Sequence, residues 1–140
     1  MTASTLPLVG REEELAALLD LLDTGNDLPT VAVVAGEAGI GKTTLWLAGV
    51  ESAVARGYRT LSSRPSEAET GFSFAALTDL LGNSADDIVP ELPPIQGRAL
   101  AAALLLGDSD LPADERAVAA AFLGALRLLA ADGPLCLAVD

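Results

Sequence analysis

The segment from Gly36 to Thr43 has the residue types and the spacing of a phosphate-binding loop. It fits the pattern G-x-x-x-x-G-K-[ST]. Glycines allow such a loop to turn its backbone N–H groups inward around phosphate oxygens. In this pattern Lys42, the only lysine of the chain, is expected to reach the β- and γ-phosphates, and the Thr43 hydroxyl is expected to bind Mg²⁺. The candidate nucleotide-binding residues of the loop are Gly36, Glu37, Ala38, Gly39, Ile40, Gly41, Lys42, Thr43 and Thr44.

A second candidate lies at Asp140, directly after the apolar run Leu135–Val139 that predicts a buried strand. In P-loop enzymes a strand of this type presents an aspartate to the Mg²⁺ shell. Asp140 is therefore a candidate metal ligand and, together with Lys42, a candidate catalytic residue. Aspartate is also an ordinary residue at the end of a strand, so a purely structural role for Asp140 stays open.

The elements around the loop suit it. Residues 30–35 form a β-branched run without alternation, which is typical of a parallel strand covered on both faces. Good helix formers then extend from Lys42 to about Arg56, and a second strand is predicted over residues 58–62. This order of strand, helix and strand predicts a right-handed crossover and a parallel sheet. Upstream, leucines between residues 15 and 22 recur at helical spacing and predict an amphipathic helix that Gly25 closes.

Downstream, the pattern predicts a short helix over 72–81, a loop with three prolines over 83–94 and a helix over 96–106. A long helix is predicted to start at Pro112 and to stop at Gly133-Pro134. The fold class is therefore α/β, the three-layer sandwich of P-loop NTPases with a parallel sheet. We expect residues 1–26 to be an N-terminal leader and helix, and residues 27–140 to be a partial nucleotide-binding domain. Because the chain stops directly after a buried strand, we expect an incomplete fragment.

Composition excludes several other functions. The net charge of −12 has the wrong sign for binding a nucleic-acid backbone. With no histidine and a single cysteine, the chain lacks zinc-ligand spacings and any Ser-His or Cys-His pair. The uncharged stretches are shorter than the roughly 18 residues of a membrane span, and residues 1–10 do not have the pattern of a secretory signal. We therefore expect a cytoplasmic protein without a membrane partner.

The sequence also resembles a known family. The resemblance lies in Leu8-Val9-Gly10-Arg11-Glu12-Glu13-Glu14-Leu15, in the run from Val33 to Thr44, in Arg64 to Glu69 with Phe72 to Leu77, and in Leu135 to Asp140. The sequence is similar to the N-terminal STAND-class ATPase domain of large bacterial LuxR-type transcriptional regulators, which are related to the maltose activator. The resemblance covers essentially the whole chain.

This resemblance implies ATP and Mg²⁺ as cofactors and places Val9, Gly10 and Arg11 on the adenine and ribose side of the nucleotide. A structural role for Gly10 and Arg11, as a chain break and a helix start, stays open. Family members are signal-controlled switches that self-associate and bind DNA through a C-terminal domain, which residues 1–140 do not include. In related folds a further strand inserts between the first and third strands, so one central strand is expected to be missing here.

Three functions remain after these observations. The first is a regulatory switch that binds and hydrolyses ATP. The second is a P-loop enzyme of another class, such as a small-molecule kinase, in which the phosphoryl group goes to a substrate. The third is an interaction domain that binds nucleotide without turnover. Mg²⁺-dependent hydrolysis is expected of a full-length parent protein, and whether residues 1–140 hydrolyse ATP by themselves is left open.

Overall fold

The computed structural model describes residues 10–24, 29–65, 74–106 and 113–140. These residues form six α-helices and two β-strands and divide into two compact units, one up to Tyr58 and one from Arg59 onward. The elements are α1 (Glu12–Asp23), α2 (Lys42–Ala55), β1 (Arg59–Ser63), α3 (Ala75–Leu81), α4 (Ala85–Ile88), α5 (Pro94–Ala103), α6 (Glu115–Ala131) and β2 (Leu135–Val139).

In the first unit, α1 packs along α2. Three glutamates occupy the first turn of α1, where the positive end of the helix dipole favours acidic side chains. Gly49 lies at the contact between the helices, since a Cβ there would be 3.5 Å from Leu18 Cδ1. The predicted helix is confirmed. Its predicted closing residue, Gly25, lies outside the described residues.

Polar contacts fix the end of α1 to the chain that follows α2. Arg56 donates from Nε to Asp23 Oδ1 at 2.6 Å and from Nη2 to Asp23 Oδ2 at 3.2 Å. The Tyr58 hydroxyl donates to the Leu22 carbonyl oxygen at 2.7 Å. Together with the contact between Leu18 and Gly49, these bonds hold α1 to α2 at its middle and at its last turn.

The predicted strand over residues 30–35 is not present, which corrects the sequence analysis. Residues 29–37 have no regular secondary structure, and the exposed fractions of Val31 and Val33 are 81% and 83%. A strand needs ladder hydrogen bonds to a neighbour, and the sheet within the described part of the chain contains β1 and β2 alone. Strand-forming side chains by themselves therefore do not make this run a strand.

In the second unit, β1 and β2 form a parallel two-stranded sheet. Arg59 is opposite Leu135 and Ser63 is opposite Val139. Both strands were predicted, the first with bounds shifted by one residue, and the parallel direction is confirmed. A parallel pair requires a long crossover connection, and here α3 to α6 supply it.

The core of the second unit lies among these crossover helices and β1. Its members are apolar side chains with little or no exposure: Leu61, Leu81, Ala85, Ile88, Leu92, Leu100, Leu104, Ala121, Ala125 and Leu129. In α6 the buried residues recur at helical spacing. Asp114 caps this helix, because its Oδ1 accepts the Ala117 N–H at 2.8 Å. The long helix is thus confirmed, but it begins at Glu115, and Pro112 lies outside the described residues.

The segment over residues 83–94, predicted to be a loop because of its prolines, is instead largely helical. It contains α4 between two 3₁₀ turns, Gly82–Ser84 and Val89–Glu91. Pro90 lies in the first turn of the second of these, and Pro94 is the first residue of α5. A first turn tolerates proline because its N–H groups have no acceptor within the helix. For the same reason α5 starts at Pro94, two residues before the predicted start, and it ends at Ala103 instead of 106.

Candidate functional site

The loop from Gly36 to Gly41 owes its shape to glycine at three positions. Gly39 and Gly41 have φ angles of 80° and 93°, in the left-handed region that side chains with a Cβ rarely adopt. A Cβ at Gly36 would lie 3.0 Å from Ile40 Cγ2, so the loop folds back closely on its own start. The Ile40 N–H donates to the Glu37 carbonyl oxygen at 3.4 Å and closes this turn.

The loop leads directly into the N-terminus of α2, which begins at Lys42. Gly41 is the residue before the helix and has no side chain to cap it, and the first turn contains no acidic residue. The partial positive charge at this end of α2 is therefore not balanced by a carboxylate of its own first turn. Such a helix start suits an anion, and phosphate groups are bound at helix N-termini of this kind.

Lys42 reaches back over the loop. Its Nζ donates to the Gly36 carbonyl oxygen at 2.9 Å and to the Glu37 carbonyl oxygen at 2.8 Å. An ammonium group has three donors, and these two carbonyls hold the charge at the mouth of the loop. Thr43 and Thr44 follow in the first turn of α2, both partly buried. The sequence-predicted residues from Gly36 to Thr44 therefore lie together at one helix start.

Arg11 also contacts this loop. Its Nη2 donates to the Ile40 carbonyl oxygen at 3.1 Å, and its Nη1 donates to Glu14 Oε1 at 2.6 Å. The hydrogen bond from Arg11 holds the pKa of Glu14 below its ordinary value. Gly10 has a φ of 76°, and its N–H donates to Glu12 Oε1 at 3.2 Å. Two of the three residues predicted to lie beside the nucleotide, Gly10 and Arg11, thus belong to the unit that contains the loop. The third, Val9, lies outside the described residues.

Asp140 belongs to the second unit, at the carboxyl end of β2. Its N–H donates to the Ser63 carbonyl oxygen at 3.1 Å, which continues the ladder by one bond. Its carboxylate forms an ion pair with Arg64, the residue after β1, with 3.0 Å between Oδ2 and Nε. The exposed fractions of the two side chains are 21% for Asp140 and 53% for Arg64. A common Mg²⁺ site of Thr43 and Asp140 stays a prediction.

Sequence reasoning missed two partners of the predicted site residues. In the sequence, Glu14 and Arg64 stand out only as members of the segments that carry the family resemblance. A signal for Arg64 does exist, because residues that directly follow paired parallel strands meet at one edge of a sheet. For Glu14 the spacing of three from Arg11 permits an ion pair on a helix, but nothing in the sequence indicates the contact of Arg11 with Ile40.

These features define a P-loop ATPase-type domain. They are a glycine-rich turn that leads into a helix, a lysine that folds over that turn, and a small parallel sheet in an α/β chain. The family model described as the AAA ATPase domain matches residues 7–140. The chain belongs to this family. No curated protein and no solved structure matches the chain. Among the described residues, no helix has both the length and the apolar character needed to cross a membrane.

Proposed function

We propose that this chain binds ATP with Mg²⁺ and is the nucleotide-binding part of a regulatory ATPase. The observation that carries the proposal is the loop from Gly36 to Gly41, with Lys42 bonded across it and α2 starting directly behind it. The overall charge of −12 repels a nucleotide at long range. Binding must therefore depend on local donors, and this loop gathers them.

The loop residues fit a triphosphate. The glycines leave room around the backbone, since a Cβ at Gly39 or Gly41 would meet no atom within 4 Å. Lys42 would exchange its bonds to the Gly36 and Glu37 carbonyls for bonds to the β- and γ-phosphates. Backbone N–H groups of the loop and of the first turn of α2, including those of Lys42 and Thr44, would donate to the same oxygens.

For Mg²⁺, the residues that would hold it are Thr43 through its hydroxyl and Asp140 through its carboxylate. When bound, Mg²⁺ neutralises developing charge on the β- and γ-phosphates. The role of Asp140 is supported by its sequence position directly after an apolar strand. Val9, Gly10 and Arg11 are proposed beside the nucleotide, with Arg11 already in contact with the loop.

At the level of the whole protein, we propose the switch of a bacterial LuxR-type transcriptional regulator of the STAND class. ATP bound at Lys42 and Thr43 would favour a self-associating state, and hydrolysis would release it. DNA would then be bound by a separate C-terminal domain, because the acidic residues 1–140 are poorly suited to it. We place such a regulator in the cytoplasm. The support is the resemblance of residues 8–15, 33–44, 64–69, 72–77 and 135–140 to that group.

The test of the nucleotide site is a titration of the full chain with Mg·ATP. Lys42→Ala should weaken binding by about tenfold to a hundredfold, because a charge-assisted bond to phosphate is lost. Arg127→Ala is the matched control, since it removes one positive charge from an exposed position of α6. Equal affinity of the wild type and Lys42→Ala would overturn the assignment of the loop.

The role of Thr43 is tested separately through the metal. Thr43→Ala should reduce the dependence of ATP binding on Mg²⁺, and Thr43→Ser should restore it because serine keeps the hydroxyl.

Product analysis then identifies the reaction. Phosphate released without an acceptor supports the ATPase. Nucleotide consumption that requires a small hydroxyl compound supports a kinase, and tight binding without turnover supports a binding domain.

A further inference from the structure

The peptide group between Ile40 and Gly41 is the last of the loop before α2. Its carbonyl oxygen accepts the bond from Arg11 Nη2 at 3.1 Å. A trans peptide is planar, with the C=O and the N–H on opposite sides, and the described residues contain no cis peptide bond. The Gly41 N–H is therefore directed away from Arg11, and no backbone carbonyl of the described residues accepts it. Arg11 thus fixes the direction of a backbone donor that it does not touch.

This peptide needs such a restraint because Gly41 offers little resistance to rotation. With a φ of 93°, Gly41 occupies a conformation that glycine reaches about as readily as its mirror image. A Cβ would find no atom within 4 Å, so close packing does not hold this residue either. The freedom that allows the loop to form also allows the Gly41 N–H to turn away from a ligand.

Arg11 is itself held in place. Glu14 accepts from Nη1 at 2.6 Å, so the planar guanidinium bridges an anchor on α1 and the carbonyl of the loop. The anchor is firm because α1 is fixed to α2 by the contact of Leu18 with Gly49 and by the ion pair of Asp23 with Arg56. A series of contacts therefore connects α2 to α1, α1 to Arg11, and Arg11 to the loop at the start of α2.

We propose that Arg11 and Glu14 are positioning residues for phosphate binding, which hold the Ile40–Gly41 peptide with its N–H turned to the ligand. This inference rests on the proposed nucleotide site and deepens it. It differs from the role that the family resemblance implies for Arg11, which is a direct contact on the adenine and ribose side. In the present geometry Arg11 acts on the triphosphate through the backbone, so its effect does not require a base or a sugar.

The difference can be measured with two ligands, Mg·ATP and Mg²⁺ with inorganic tripolyphosphate, which lacks base and ribose. Arg11→Ala and Glu14→Gln should each weaken the binding of both ligands by the same factor, about three- to tenfold. The double variant should be no weaker than Arg11→Ala alone, because both residues act through one contact. Glu13→Gln is the matched control. It removes the same charge from the same turn of α1, and Glu13 takes no part in the Arg11 pair.

Arg11→Lys separates geometry from charge, because an ammonium keeps the charge but lacks the rigid fork that bridges Glu14 and Ile40. It should behave like Arg11→Ala. Three results would each overturn the proposal. In the first, Arg11→Ala weakens the binding of ATP but leaves the binding of tripolyphosphate unchanged, which would place Arg11 on the base or the ribose. In the second, Arg11→Lys binds with wild-type affinity, and in the third, Glu14→Gln binds with the same affinity as Glu13→Gln. Wild-type protein that binds neither ligand would instead overturn the nucleotide site itself.

Discussion

Arg64 and Asp140 form an ion pair at the edge of the sheet where β1 and β2 both end, with 3.0 Å between Nε and Oδ2. The register that pairs Ser63 with Val139 places the next residues of the two strands side by side. The carboxylate proposed to bind Mg²⁺ therefore already has a cationic partner in the protein. Binding of a metal ion by Asp140 must compete with Arg64.

Removing this competitor should favour the metal. We predict that Arg64→Gln lowers the Mg²⁺ concentration for half-maximal ATP binding by about two- to fivefold, the range expected for a partly exposed ion pair. The measurement is a Mg²⁺ titration at fixed ATP. Arg116→Gln, at an exposed position of α6, controls for the change in net charge. In an Asp140→Asn background the effect of Arg64→Gln should disappear, and its persistence there would contradict the proposed competition.

Ser63 and Asp79 supply a prediction about stability. Ser63 has an exposed fraction of only 2%, and its hydroxyl donates to Asp79 Oδ2 at 2.9 Å. Asp79→Ala would leave this buried hydroxyl without its acceptor and should cost about 1–3 kcal/mol. Ser63→Ala removes the buried donor and leaves an exposed carboxylate, so it should cost less, about 1 kcal/mol. Urea unfolding of both variants and of Asp79→Asn, which keeps an acceptor, checks this order. A larger loss for Ser63→Ala would contradict it.

The structure also separates what the sequence could and could not predict. The loop from Gly36 to Thr43 was predictable because the glycines and Lys42 that define it lie within eight consecutive residues. The prediction of a strand over residues 30–35 was wrong because a strand depends on a neighbouring strand with which to pair. Side-chain types indicate only which residues would fit into a sheet. The segment over residues 83–94 differs from the predicted loop because proline, which is typical of loops, also starts helices.

Contacts between distant positions explain the rest. The bond of Arg11 to Ile40 depends on how α1 packs against α2, and the ion pair of Arg64 with Asp140 depends on the register of two strands more than seventy positions apart. Neither packing nor register can be read from local spacing. The residues that act on the proposed site through others, Glu14 and Arg64, are therefore those that the sequence analysis left without a role.

Two glycines in the packed helices of the second unit should respond differently to alanine. A Cβ at Gly97 in α5 would lie 2.9 Å from the Val89 carbonyl oxygen, a backbone atom, whereas at Gly124 in α6 it would lie 2.8 Å from Leu92 Cδ2. Alanine favours a helix over glycine by about 1 kcal/mol in both. Gly97→Ala should nevertheless be destabilising by about 1–3 kcal/mol, because the backbone must shift. Gly124→Ala should stay within about 1 kcal/mol of the wild type, because a side-chain end can move. Equal losses in thermal or urea unfolding would contradict this difference.

The ion pair of Asp23 with Arg56 predicts how the stability of the protein depends on pH. The hydrogen bond from Arg56 holds the pKa of Asp23 below its ordinary value of 3.8. Because the folded-state pKa is the lower one, the pair stabilises the folded state fully above the unfolded-state pKa. This contribution is lost as the pH falls through the folded-state pKa.

Arg56→Gln should therefore unfold at a lower urea concentration than the wild type at neutral pH, and the difference should shrink once the pH falls below about 4. Urea unfolding of both proteins from about pH 7 to about pH 2.5 measures it. Arg127→Gln is the control, because it removes a charge from an exposed position of α6. The difference in the urea concentration of unfolding between this variant and the wild type should not follow the titration of Asp23. A gap between wild type and Arg56→Gln that stays constant down to the lowest pH would show that Arg56 stabilises the protein through packing and not through the carboxylate of Asp23.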